Sequence, residues 1–168
     1  MTKQVKAYTL AGFLFTVVAG TLLHFLYQWT NNATAVAFFA PVNESVWEHL
    51  KLLVVPMLLF SLFEFIMLGG TYPKILPADA AGLLLGSASI PILFYTYSGI
   101  IGRSFLAIDI LIFIIASAFA FAASRYFLLK RPLSKKSSII LLVGAFLFII
   151  CFFVFTFFQP PIGLFSQP

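Results

Sequence analysis

The chain has 168 residues, of which 62% are hydrophobic and 9% are charged, and its formal net charge is +5. A soluble domain averages about 25% charged residues, so this composition and a mean hydropathy of +1.08 exclude an ordinary soluble protein. The single cysteine, Cys151, excludes a disulfide within these residues. We expect it to pack as a small apolar side chain.

Five apolar segments are each long enough for a membrane-spanning helix, which needs about 20 residues. Glycine, proline and serine separate the segments, as is typical of helix ends. We therefore predict an all-α integral membrane protein, a single domain built as a bundle of about five transmembrane helices. The predicted spans are residues 8–29, 44–68, 80–101, 104–129 and 137–158.

The first span exceeds the apolar region of a signal peptide, which has about 7–15 residues, so we expect it to be retained as a helix. One face of this helix carries a stripe of small and polar residues at every fourth position. Small residues at this spacing let a neighbouring helix approach closely. The stripe consists of Gly12, Thr16, Gly20, His24 and Gln28.

The connection between the first two spans, residues 31–43, is too apolar for an ordinary loop and too short to cross a membrane. Irregular backbone at membrane depth must be buried in protein or line a wet cavity. We expect this segment to lie at the membrane interface or to fold back as a lid.

The start of the second span concentrates polar residues in an otherwise apolar chain. Helix capping explains a part of this pattern: Ser45 followed by Glu48 fits the capping box, Asn43 is an alternative N-cap, and Trp47 suits the aromatic belt of a membrane. At about 100° per residue, however, the polar groups cover two faces of the helix, so some must point into the bundle. One face carries Glu44, Glu48 and Lys51, and the other carries Ser45 and His49.

Asp109 lies inside the apolar fourth span. A carboxylate at the middle of a membrane helix costs about 2.5–3.5 kcal/mol, so Asp109 needs a partner. The candidate partners are Lys51, Arg103 or a histidine, and Tyr95 and Tyr97 could add hydroxyl groups at the same level.

Eight of the ten lysines and arginines fall on one side of the predicted bundle: Lys3, Lys6, Lys74, Arg125, Lys130, Arg131, Lys135 and Lys136. The positive-inside rule then places the N-terminus in the cytoplasm and the C-terminus outside the cell, with the helices in the plasma membrane. We expect the basic cluster at residues 125–136 to contact anionic lipid headgroups of the bilayer rather than nucleic acid. Glu64 and Asp79 lie near the same side, where capping or an extended side chain suffices, and we assign them no role.

Two motifs are similar to a known family: PVNESVWEHLK at residues 41–51, which is long and specific, and FTFFQPPIGLF at residues 155–165, which is looser. In both, the chain resembles domain-of-unknown-function family 6512, a family of small bacterial and archaeal membrane proteins. The resemblance implies a polytopic membrane fold and directs attention to residues 41–51, but it implies no activity.

Three classes of function remain open at this stage. The first is a binding or transport protein with an outward-facing polar site for a small polar or charged solute or an ion. With five spans, such a protein would act as a homodimer or with a partner membrane protein. The candidate ligand-binding residues are His24, Asn43, Glu44, Glu48, His49, Lys51, Arg103 and Asp109.

The second class is a membrane-embedded enzyme that depends on a divalent metal such as zinc. Catalytic zinc has three protein ligands and an open position for water, and the candidate ligands are His24, His49 and Glu48. Glu48 and His49 are adjacent on one helix, which makes it difficult for both to bind the same ion. The third class is a structural or assembly subunit of a larger membrane complex, in which the polar residues only cap and pack.

Overall fold

The computed structural model describes residues 3–166, and this range is helical with no strand. The elements are α1 (Lys3–Trp29), α2 (Thr34–Ala37), α3 (Val46–His49), α4 (Lys51–Leu68), α5 (Ile75–Ile101), α6 (Leu106–Leu129), α7 (Lys135–Phe157) and a final 3₁₀ turn, η1 (Gly163–Phe165). Five of the helices are long and apolar enough to cross a membrane, with α3 and α4 counted as one span. The prediction of an all-helical chain with five such helices is confirmed.

Two helices begin well before their predicted starts, and α1 begins at Lys3 rather than at residue 8. Helix α5 begins at Ile75 rather than at residue 80, because Pro77 lies in the first turn, where its missing N–H has no helical partner to lose. Between α3 and α4, Leu50 has helical backbone angles, so Val46–Leu68 behaves as one helix.

Small residues let α5 and α6 pack together along much of their length. A Cβ atom at Gly86 would lie 2.6 Å from the Cβ of Ala120, and one at Gly82 would clash with the Ala120 carbonyl oxygen. Only glycine fits at these two positions, and small residues at this spacing are typical of helix contacts in membranes.

The outer faces of the helices are apolar. Large hydrophobic side chains such as Leu14, Leu22, Ile140 and Phe146 are exposed, whereas several charged side chains are buried inside the bundle. An apolar exterior around buried polar groups is the arrangement that a lipid environment favours.

Consecutive long helices run in opposite directions, so the bundle has two ends. We call one the histidine end; there the C-terminus of α1 meets the start of α3, the end of α5 and the start of α6. We call the other the arginine end, after Arg125 near the end of α6. Neither term implies a side of the membrane.

Candidate functional site

Three metal-type ligands meet at the histidine end. One nitrogen from each of His24 and His49 and a carboxylate oxygen of Glu44 all lie within 4.8 Å of one another. The two imidazole rings have centroids 5.2 Å apart, and a Glu44 oxygen is 3.4 Å from Nε2 of His49. Helix α1, helix α3 and the segment before α3 therefore each contribute one ligand to a single cluster, which we call the histidine cluster.

Gly20 explains how His24 reaches this position. Pro56 has no N–H, so the carbonyl oxygen of Leu52, four residues earlier, lacks its usual helical partner. That oxygen lies against Gly20, where an added Cβ would clash with it. The close approach of α1 to α4 places His24, one turn beyond Gly20, beside His49.

The hydrogen bonding of His49 leaves one of its nitrogens available. Nδ1 is 2.9 Å from the carbonyl oxygen of Ser45. A carbonyl only accepts hydrogen bonds, so Nδ1 carries a proton, and in the neutral ring Nε2 then has a lone pair for a metal. Metal-binding histidines are commonly anchored in this way through their second nitrogen. Nδ1 of His24 is buried and has no hydrogen-bond partner in the described part of the chain.

A cavity of about 170 Å³ opens beside the cluster. Its polar lining consists of the histidine cluster and Asp109 from α6. The remaining lining residues are apolar: Val46, Leu52, Ile90, Phe94, Leu106, Ile112 and Phe113. The polar groups thus form one level of the cavity, with Val46 and Leu106 nearer the histidine end and apolar residues such as Leu52 and Ile112 deeper in the bundle.

Asp109 is held by a tyrosine rather than by a cation. The hydroxyl of Tyr97 donates to a carboxylate oxygen of Asp109 and accepts from the backbone N–H of Phe105 at 3.1 Å. Arg103, one of the predicted partners, lies instead over the ring of Phe105, 4.5 Å from its centroid. Arg103 is exposed and does not line the cavity.

Lys51 and Glu48 form a fully buried ion pair apart from the cluster. The ammonium of Lys51 donates to Glu48 at 2.7 Å, to the hydroxyl of Thr156 at 2.7 Å and to the carbonyl oxygen of Ala37 at 2.9 Å. An ammonium has three donors, and all three are used. The pair therefore joins α3 to α7 and pins the short helix α2.

Glu48 consequently does not join the histidines as predicted. Its carboxylate also accepts the backbone N–H of Val42 at 3.0 Å, not the N–H of Ser45 that a full capping box requires. Ser45 does cap α3, since its hydroxyl accepts the N–H of Glu48 at 3.3 Å. The acid beside the two histidines is Glu44.

Asn43 and the C-terminal segment close another part of the same end. Asn43 accepts the N–H of Ser45 at 3.0 Å and donates to the side chain of Gln159 at 3.2 Å. Phe165 is buried against Trp47, with ring centroids 5.1 Å apart. Trp47 is therefore part of an aromatic core, and its predicted place in an exposed aromatic belt is wrong. Up to residue 166, the C-terminal segment covers Trp47 and lines no part of the cavity.

A second buried network, at the arginine end, was missed by the sequence analysis. Arg125 donates to both carboxylate oxygens of Glu64, at 2.8 and 2.7 Å, and to Asp79 at 3.0 Å. The hydroxyl of Ser124 also donates to Asp79. Glu64 is 0% exposed, Asp79 3% and Arg125 5%. The predictions that these two acids only cap or extend, and that Arg125 contacts lipid headgroups, are wrong.

A signal for this network was present in the helix ends. In the predicted spans, Glu64 and Arg125 each lie four residues from the arginine end of their helix, and Asp79 takes the same position once α5 begins at Ile75 instead of at residue 80. At about 1.5 Å per residue, the three charges share one depth of about 6 Å. An acid within a membrane helix needs a partner, and this holds for Glu64 as well as for Asp109.

The chain belongs to a family of unknown function, DUF6512, whose family model matches residues 1–168. The predicted resemblance is thereby confirmed. No curated protein and no solved structure matches the chain significantly. The function must therefore be argued from the residues of the site.

Proposed function

We propose that this member of the DUF6512 family is a membrane protein that binds a divalent transition-metal ion, best matched by zinc, at the histidine cluster. The observation that carries the proposal is the convergence of His24, Glu44 and His49, whose ligand atoms lie within 4.8 Å of one another. Ligands about 2.0–2.2 Å from a tetrahedral zinc lie roughly 3.4 Å apart. A Glu44 oxygen and Nε2 of His49 are already 3.4 Å apart, so binding would require at most a small movement of the ligand atoms toward the metal.

The chemistry of the donors favours zinc over other common ions. Two imidazole nitrogens and one carboxylate oxygen form a ligand set known from catalytic zinc sites. Calcium and magnesium prefer sites composed of oxygen ligands. Three protein ligands also leave the fourth tetrahedral position free, and the adjoining cavity provides space for water or a solute at that position.

The distribution of charge supports an outward-facing site. The lysines and arginines that form the predicted cytoplasmic side lie toward the arginine end, so the positive-inside rule turns the histidine end outward from the plasma membrane. A solute or ion would enter from outside. Transport would need a second copy or a partner membrane protein, because a bundle of five helices is small for a path across the membrane.

A second candidate function is a metal-dependent hydrolytic enzyme. The observation that favours it is Asp109, which lines the same cavity as the three ligands and is oriented by Tyr97. Zinc supplies a water molecule acidic enough to lose a proton near neutral pH. A carboxylate held across the cavity could accept that proton.

Metal analysis of the purified protein tests the proposal. We expect about one zinc per chain after incubation with zinc and removal of excess, and a loss of binding in His24→Ala, His49→Ala and Glu44→Gln. The matched control is Gln28→Ala, one turn beyond His24 on α1 and exposed, which should keep the zinc. A folded wild type that retains no zinc would overturn the proposal and favour the structural or assembly role.

A further inference from the structure

We propose that the ligand that completes this metal site is an amphiphile, with a metal-binding anionic head at the histidine cluster and a short alkyl chain in the cavity. This inference rests on the proposed zinc site and names the class of molecule that the site accepts. It comes from the position of the polar groups at one level of the cavity and from the apolar residues that line the cavity deeper in the bundle.

The polar groups are confined to one level of the cavity. His49 and Asp109 are each followed one turn deeper by apolar lining residues, Leu52 and Ile112. Ile90 lies 11 residues before the end of α5 at Ile101, which is about 16 Å along the helix axis at 1.5 Å per residue. A bound molecule that enters at the metal therefore meets only hydrocarbon as it extends inward.

A wholly polar solute would fit this interior poorly. A polar group that enters an apolar environment without a hydrogen bond loses about 1–3 kcal/mol in protein mutational data. The buried charges closest in sequence to His49 are those of Glu48 and Lys51. They are paired with each other and line no part of this cavity. Only the head of a ligand finds polar partners here.

The volume sets the length of the chain. A cavity of roughly 150 Å³ lined by aliphatic and aromatic side chains accepts a ring the size of benzene. The cavity has about 170 Å³, so it holds roughly six to eight non-hydrogen atoms by the same comparison. A head group of about four such atoms leaves room for roughly two to four chain carbons. Longer chains must bend back or leave through the mouth.

Alkyl hydroxamates of increasing length are the probes that test this inference. The hydroxamate group binds zinc, and the chain is varied from acetohydroxamate to dodecanohydroxamate. Affinity for the zinc-loaded protein in nanodiscs is measured by isothermal titration calorimetry. We expect affinity to rise about fourfold per added methylene, the equivalent of about 0.8 kcal/mol, up to roughly two to four carbons beyond the hydroxamate group, and then to level off.

Two variants separate binding in the cavity from partition into lipid. His24→Ala in the same nanodiscs measures chain-length dependence without the metal site and should show no saturable binding. Ile112→Ala enlarges the interior and should move the plateau to chains about two carbons longer, since it removes three carbon atoms from the wall. Its zinc content should equal that of the wild type.

Three results would separate the amphiphile inference from the zinc site on which it rests. Zinc binding with equal affinity for acetohydroxamate and octanohydroxamate would overturn the amphiphile and leave the metal site intact. Equal saturable binding of octanohydroxamate to His24→Ala would also overturn it, because the head would then not be held by metal. Absence of zinc from the wild type would remove the proposed function itself.

Discussion

The two ends of the bundle both collect charged residues, but they differ in how those residues are partnered. At the arginine end, Arg125 holds Glu64 and Asp79 with three hydrogen bonds in a buried network. At the histidine end, His24 and His49 are only partly buried and face a cavity. Although Asp79 also borders a separate cavity, each acid of the arginine network is bound to Arg125 and the network joins three helices, whereas the histidine cluster contributes little to joining helices. The comparison separates charges that hold the fold from groups available to a ligand.

The same contrast occurs between two consecutive residues. Glu48 is 0% exposed and is bound to Lys51, while His49 points to the other side of the helix, toward His24. Adjacent helix positions are rotated by about 100°, so a single turn supplies both a structural ion pair and a ligand of the open cluster.

The largest effect should come from breaking the closed network. Arg125→Met leaves two buried carboxylates without their cation, and removal of one partner of a buried pair costs about 3–5 kcal/mol. We expect the free energy of unfolding in detergent to fall by at least that amount, as measured by denaturant titration followed by circular dichroism. Lys130→Met, at an exposed position five residues later, is the control and should change little.

A triple variant sharpens this result. Replacing Arg125, Glu64 and Asp79 together by methionine or leucine removes every charge of the network, and such replacements are often neutral. Recovery of stability would show that the unpaired charge, rather than lost packing, destabilises Arg125→Met. A stable Arg125→Met protein would contradict the structural role assigned to this network.

The Lys51 pair should give a somewhat smaller effect. Lys51→Met leaves one buried carboxylate, that of Glu48, where Arg125→Met leaves two. We expect a loss of about 3 kcal/mol and partial recovery in the double variant Lys51→Met/Glu48→Gln, both measured by the same unfolding assay. If Lys51→Met instead abolished zinc binding without loss of stability, Lys51 would belong to the site and not to the scaffold.

The pattern of residues along the sequence predicts the helices and their polar faces, but not how the helices are rotated against each other. Span length and hydropathy identified five helices, because about 20 apolar residues are a direct requirement of the bilayer. Spacing also assigned Glu48 and His49 to different faces. It could not give the rotation of one helix against another, so it did not show which face of α3 meets His24 and which meets Thr156 on α7.

The positive-inside rule gave a wrong surface position for Arg125 for a related reason. Counting lysines and arginines treats each as a residue at the membrane edge, and Arg125 was counted with Lys130 and Arg131. Its burial depends on the acids of α4 and α5 at the same depth. For Asp109, burial correctly required a partner, but the bond to Tyr97 depends on how α5 and α6 pack.

Gly20 connects the packing of α1 to the open site and should produce a moderate effect. A Cβ at this position clashes with the Leu52 carbonyl oxygen, and overpacking destabilises by about 1–3 kcal/mol. In Gly20→Ala we expect zinc affinity to fall by about 10–100-fold, the range for a disturbed supporting residue. Gly144→Ala is the matched control, because the added Cβ would lie 3.6 Å from its nearest neighbour, Cδ1 of Leu84, without a clash. Unchanged zinc affinity in Gly20→Ala would show that His24 does not depend on this helix contact.

The histidines themselves should affect stability least, and this prediction tests the comparison most directly. Without metal, His24→Ala and His49→Ala should each change the free energy of unfolding by less than about 1 kcal/mol, since partly exposed positions contribute little. Zinc at 100 times its dissociation constant should stabilise the wild type by about 2.7 kcal/mol and leave both variants unchanged. Because metal binding requires both imidazoles to be deprotonated, the added stability should be present at neutral and higher pH and be lost as the histidines protonate in acid. Thermal unfolding with and without zinc across that pH range measures the difference. A histidine variant that unfolds without metal would place the cluster in the same structural class as Arg125 and its acids.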